Sequence, residues 1–128
     1  MTIFNMNKIY TFEITGETPA KKNSRINLRN GISIPSKRYT QWHAGALSEL
    51  LQKTRPDSPI DYPVLIHLTF THGDLRRRDS DNGCSSILDL LQDAKIISDD
   101  NWQIVRDIAI GNTYEKGKPK CIITIQSI

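Results

Sequence analysis

Long hydrophobic runs, clustered cysteines and a strong net charge are all missing from these 128 residues. Each absence removes a class of protein. Without about 20 consecutive apolar residues no membrane-spanning helix is expected, and the N-terminal MTIFNMNKIYTFEI lacks the basic, apolar, small-residue order of a secretory signal. A soluble, cytoplasmic protein without membrane contact is expected. The two cysteines, Cys84 and Cys121, lie far apart and outside any C-x-x-C spacing, which argues against a disulfide framework or a zinc site. Repeats, low-complexity tracts and linkers are also lacking, and the length suits one domain spanning residues 1–128. The net charge is only +3. What matters is where the positive residues gather: KKNSRINLR early, SKR soon after, and RRR at 76 to 78.

The pattern along the chain predicts an α+β fold. KIYTFEITG, residues 8 to 16, alternates as a first strand, and a basic loop follows, in which RINLRNGISI reads as a small hairpin arm turning at Asn30-Gly31. Tyr39, Trp42, Ala46 and Leu50 then fall at helical spacing behind Ser36, a fitting N-cap, with Pro56 expected to close the helix. His43 lies on that helix and is expected to be structural. DYPVLIHLTFTHGD is the clearest strand, with Val64, Ile66, Leu68 and Phe70 on one face. Ile87, Leu90, Leu91 and Ala94 mark a second helix over about 82 to 94, and WQIVRDIAIGNTY and PKCIITIQSI read as two strands forming an antiparallel hairpin around EKGK. The expected architecture is a central mixed β-sheet with two helices packed on it, in the order β-α-β-α-β-β plus a basic N-terminal loop and hairpin arm.

Within this frame RRRDSDNGCSSILDLLQDAKIISDDNW, residues 76 to 102, sets carboxylates directly against the most basic tract. Asp79 and Asp81 are two residues apart, so on an extended chain both would project from one side. A hard divalent cation such as Mg²⁺ takes oxygen ligands, commonly one or two carboxylates with water and phosphate. Asp99 or Asp100 would be a third ligand, provided AKIIS carries the chain back from the far end of the helix. The plainer alternative is that the first pair caps the helix and the second forms a turn. Neighbouring arginines favour the metal reading, because phosphodiester chemistry also needs cations that hold the flanking phosphates. Trp42 and Trp102 are expected in the core.

RRRDSDN, the helix behind it with Asp89 and Leu91, and IISDDNWQIV resemble the signature of the RusA family of Holliday junction endonucleases of bacteria and their phages. TPAKKNSR resembles that family's N-terminal loop, and PSKRYTQW the start of its first helix. The resemblance covers nearly the whole chain in the right order. It implies a homodimer, dependent on Mg²⁺ with Mn²⁺ able to substitute, that cuts symmetric strands of a four-way DNA junction in recombination and repair. Its expected setting is the bacterial cytoplasm, with a prophage as one source. The family's essential acids correspond to Asp79, Asp81 and Asp100, with Asp99 the alternative to Asp100. Lys21, Lys22, Arg25, Arg76, Arg77 and Arg78 are the expected grip on the DNA backbone. One departure stands out: the family pattern has a lysine where this chain has Ser85. An uncharged hydroxyl there would weaken transition-state stabilisation by about a few kcal/mol unless another cation substitutes. The competing expectation is therefore a branched-DNA-binding protein that cuts weakly or not at all; a generic basic phage protein is a third.

Overall fold

Strand β4 (Val64–His72) organises the fold, because alternate side chains Val64, Ile66, Leu68 and Phe70 are buried while both of its edges carry neighbouring strands. The computed structural model describes residues 8–20 and 25–128, with Arg25 described in its backbone alone. The remaining elements are β1 (Ile9–Thr15), β2 (Arg25–Asn27), β3 (Ser33–Pro35), α1 (Lys37–Leu51), α2 (Cys84–Asp93), β5 (Val105–Tyr114) and β6 (Lys120–Ser127). The expected α+β order is present. β2 and β3 form the separate hairpin, turning where Gly31 takes the φ of +82° that side chains with a Cβ rarely adopt.

The main sheet runs β1-β6-β4-β5, mixed in direction. β6 is antiparallel to both β1 and β4, and β5 is parallel to β4. This corrects the expected β5–β6 hairpin. The connection between them crosses the end of β4, held by Glu115 N–H on His72 O and Gly117 N–H on Gly73 O, and β6 inserts between β1 and β4. Burial explains the choice. Cys121, Ile123 and Ile125 of β6 are fully enclosed and suit a central strand, whereas residues 106–109 of β5 are exposed and suit an edge.

Helix α1 starts as expected, with Ser36 Oγ accepting from Tyr39 N–H at 3.1 Å. It ends earlier than Pro56, at a Gln52 cap, after which Lys53 reaches the Glu13 carbonyl and Arg55 the Ala94 carbonyl. Ala46 and Leu50 pack with Ile87, Leu90 and Leu91 of α2 on the buried face of the sheet. Removing such side chains from water, at roughly 25 cal/mol per Å², is what holds the layers together. Among the described residues, no helix is long and apolar enough to cross a membrane.

The β4–α2–β5 crossover fixes the geography of the acidic residues. β4 and β5 both run toward their shared C-terminal end, and α2 brings the chain back to the other. AKIIS does not return to the starting end. Instead Ile97 bridges Ile60 just before β4 begins, with Ser98 N–H on Ile60 O, and Asp99 and Asp100 follow there. Trp102 was expected in the core but is 71% exposed, because the 101–104 turn lies beyond the sheet end where no layer covers it.

Candidate nuclease site

Residues 75–79 leave β4 as an irregular segment, and residues 80–83 form a turn that delivers the chain into α2. Asp79 O accepts from Asn82 N–H and Asp81 O from Cys84 N–H, so the pair sits on a turn rather than on the extended chain expected. Gly83 is required by close packing: a Cβ there would stand 2.8 Å from both Phe70 Cε1 and Thr18 Cγ2. The helix therefore begins at Cys84, later than expected, and Gly83 supplies no side-chain cap. Neither aspartate caps it. Both are exposed, and among the described residues neither carboxylate has a hydrogen-bond or ion-pair partner.

Other acids in the same region are engaged. Asp74 accepts from Arg76 N–H at 3.0 Å and from its guanidinium, and these bonds hold its carboxyl down to about 2. Arg78 is only 15% exposed and lies between Asp74, at 2.9 Å, and Glu17, at 3.3 Å. The Glu17 contact is an ion pair without hydrogen-bond geometry, since Glu17 Oε1 has no hydrogen-bond partner. Arg78 thus buttresses the loop from within. Arg77 is exposed and has no ion-pair partner among the described residues.

A cleft of about 220 Å³ opens here, lined by Arg38, Arg76, Arg77 and Arg78 with Glu17 and Asn82. A wider depression of about 480 Å³ shares Arg77, Arg78 and Asn82 and adds Asp79. A carboxylate with no partner among the described residues therefore stands at the edge of a guanidinium-lined hollow, the pairing that metal-assisted phosphodiester chemistry needs. Arg38 was missed as a site residue, although SKR was visible as a basic cluster. The expected grip by Lys21, Lys22 and the Arg25 side chain falls outside the described residues.

At the opposite end of β5, the two remaining acids differ. Asp99 accepts from Asp100 N–H at 2.7 Å and from Asn101 Nδ2 at 3.0 Å, and these donors, that of Asn101 first, lower its carboxyl below the usual range. The Asp100 carboxylate is exposed, makes no ion pair among the described residues, and has the Asp99 side chain as its neighbour. It is nevertheless far from the first pair. Asn112 Nδ2 holds Ser80 O at one end of β5, and Asn101 O receives Val105 N–H at the other. Asn112 lies seven positions after Val105. At about 3.3 Å per residue that is roughly 23 Å. One chain does not bring Asp79, Asp81 and Asp100 together.

The fold does bring together His43, Asp89 and Asp93, whose ligand atoms lie within 4.8 Å of one another. Internal bonds account for much of this cluster. His43 Nε2 meets Asp93 at 2.8 Å, and Tyr39 donates to Asp89 at 3.4 Å, joining α1 to α2. Burial, then Asp89, push the Tyr39 hydroxyl up to about 12, which keeps it a donor. Ser85 is exposed on the first turn of α2, while its neighbour Ser86 is fully buried and donates to Pro19 O at 2.6 Å. Burial, then the Asp81 charge, raise the Cys84 thiol, keeping it protonated beside the acids.

The family model for endodeoxyribonuclease RusA matches residues 16–126, which take in the basic cleft and both acidic ends. The chain belongs to the RusA family. A RusA relative from Aquifex aeolicus (strain VF5), a crossover junction endodeoxyribonuclease, is 32% identical over 106 residues, covering 83% of this chain and 82% of the relative. The arginine tract, the Asp79–Asp81 turn and the Asp99–Asp100 turn all lie inside the RusA match.

Proposed function

We propose that this chain is a divalent-metal-dependent endodeoxyribonuclease that resolves four-way DNA junctions as a homodimer, with each cation site shared between two chains. The observation that carries the reading is the pair of carboxylates, Asp79 and Asp81, that have no hydrogen-bond or ion-pair partner among the described residues and lie beside a hollow lined by arginines. The name of the Aquifex relative, a crossover junction enzyme, supports branched DNA as the substrate.

The donor set fits a hard cation such as Mg²⁺, with Mn²⁺ able to substitute: Asp79 and Asp81 offer carboxylate oxygens that no described residue engages, and Asp100 offers an exposed carboxylate beside Asp99. When bound, a divalent ion supplies Lewis-acid charge to the phosphate and acidity to a water. Arg77 and Arg38 hold the flanking phosphates, and Arg78 keeps the loop in place.

Two chains resolve the separation of the acids. β5 is an edge strand whose outer side faces no other strand among the described residues, and Ile108, Tyr114 and Trp102 on or beside it are 42%, 45% and 71% exposed. An edge this long and apolar invites pairing. Two copies of β5 set antiparallel about a two-fold axis would bring Asp100 of one chain toward Asp79 and Asp81 of the other. The dimer would then carry two equivalent sites for the two equivalent strands of a junction.

Co-expression of differently tagged Asp81→Asn and Asp100→Asn chains tests this arrangement. In the mixed dimer one site has both substitutions and the other has none. With shared sites, the purified mixed dimer nicks one junction strand in Mg²⁺ while each parent dimer is inactive. A mixed dimer as inactive as its parents would mean that each chain needs its own acids. Tight junction binding by the wild type with no product in Mg²⁺ or Mn²⁺ would instead favour the non-cutting reading that Ser85 raises.

A further inference from the structure

His72 ends β4, and its ring touches a group on each side. Nδ1 lies 2.7 Å from Glu17 Oε2 and Nε2 lies 2.8 Å from Asn112 Oδ1. Chemistry fixes which way the Asn112 amide faces. Its other arm is 2.9 Å from the Ser80 carbonyl, which can only accept, so that arm is the NH₂ and the oxygen faces His72. Glu17 is also the carboxylate of an ion pair with the Arg78 guanidinium at 3.3 Å, and Asp74 and Arg76 complete the charged groups around Arg78. Both neighbours of the ring are therefore acceptors. A neutral imidazole has one N–H and can satisfy only one of them. The His72 and Glu17 side chains are 17% and 19% exposed, so water has limited access to make up the difference.

We infer that His72 is held as an imidazolium between Glu17 and Asn112 and acts as a positioning residue, tethering Ser80, and so the Asp79–Asp81 turn, to β5. The role in cleavage rests on the reading of Asp79 and Asp81 as cation ligands. The tether itself does not. It joins the loop after β1, the end of β4, the outer strand β5 and the acidic turn, so the turn is fixed by the same strand that is proposed to meet the second chain. No sequence spacing links residues 17, 72, 80 and 112; the fold alone makes them neighbours.

Ring nitrogen NMR of the ¹⁵N-labelled full chain at pH 7, without DNA or metal, tests the protonation. Two protonated nitrogens are expected at His72, assigned by their loss in His72→Gln. One bare nitrogen in the folded wild type would overturn the inference. Two variants at the exposed Asn112 test the tether. Asn112→Ala removes both contacts, so one ring proton should be lost and amide exchange at residues 79–82 should quicken about tenfold, with the melting temperature little changed. Asn112→Asp restores the acceptor for His72 but gives no donor to Ser80. It should keep both ring protons while exchange in the turn stays fast, and unchanged exchange in both variants would sink the tether. Junction cleavage is measured in parallel, and the Mg²⁺ concentration for half-maximal rate should rise about tenfold in Asn112→Ala. Wild-type protein that cuts no junction would defeat the endonuclease reading, while the ring protons and amide exchange still decide the role of His72.

Discussion

The two ends of the β4–β5 pair hold the same kind of residue in different company. At the C-terminal end, Asp79 and Asp81 lie on a turn braced by Gly83 packing and the Asn112 bond, next to guanidinium groups. At the N-terminal end, Asp99 is engaged in its own turn and Asp100 stands exposed beside an uncovered tryptophan. One end sets two exposed carboxylates beside guanidinium groups; the other sets the exposed Asp100 carboxylate beside Asp99. Their difference separates acids engaged in local turns, Asp74 and Asp99, from Asp79 and Asp81, which have no hydrogen-bond or ion-pair partner among the described residues.

Aspartate substitutions put the largest stress on that division. Asp81→Asn should lower junction cleavage by more than about 100-fold, the upper range for outer-shell changes at metal sites, with the melting temperature unchanged. Asp99→Asn should lower it far less, since Asp99 orders the turn rather than offering a ligand. Equal losses would erase the distinction between the two aspartates. Next in size is Ile108→Arg, which places a charge on the exposed β5 edge. Sedimentation should show monomer in place of dimer, and cleavage should fall with it; a monomer that still cuts would mean that the ends need not meet.

Ser85→Lys asks whether the C-terminal end lacks a cation. The position is exposed on the first turn of α2, so a lysine can be accommodated there. A rate increase of about tenfold corresponds to about 1.4 kcal/mol of transition-state stabilisation. An unchanged or lower rate would mean that Arg77 or Arg38 already supplies the charge.

Much of the fold was legible because single segments carried the signal. The alternation in β4 and the Ser36 cap followed from local spacing, and both are found. The strand order was not legible. Adjacent strands with a short link look like a hairpin, and only the need to bury Cys121, Ile123 and Ile125 on β6 sends that strand to the other side of β4. For the site, the acidic residues were visible as a motif but their separation was not, because the direction of the β4–α2–β5 crossover decides it. The internal role of Arg78 was hidden for a similar reason: Glu17 lies 61 positions earlier in the chain.

Asp74 gives the smallest effect. Its carboxyl is held at about 2, below the ordinary range, so its bonds to Arg76 are intact above the usual carboxylate pKa and are lost only as pH falls toward about 2. Across the range in which DNA binding is measured, Arg76 therefore remains paired in the wild type. Asp74→Asn should leave the melting temperature unchanged, because the group is on the surface and Arg78 retains Glu17. It should free Arg76 to meet a phosphate. The slope of log binding constant against log salt would then steepen by about one, at pH 5 as at pH 8. A slope that does not change would place Arg76 away from the DNA path and leave Arg77 and Arg38 as the grip at this end of the sheet.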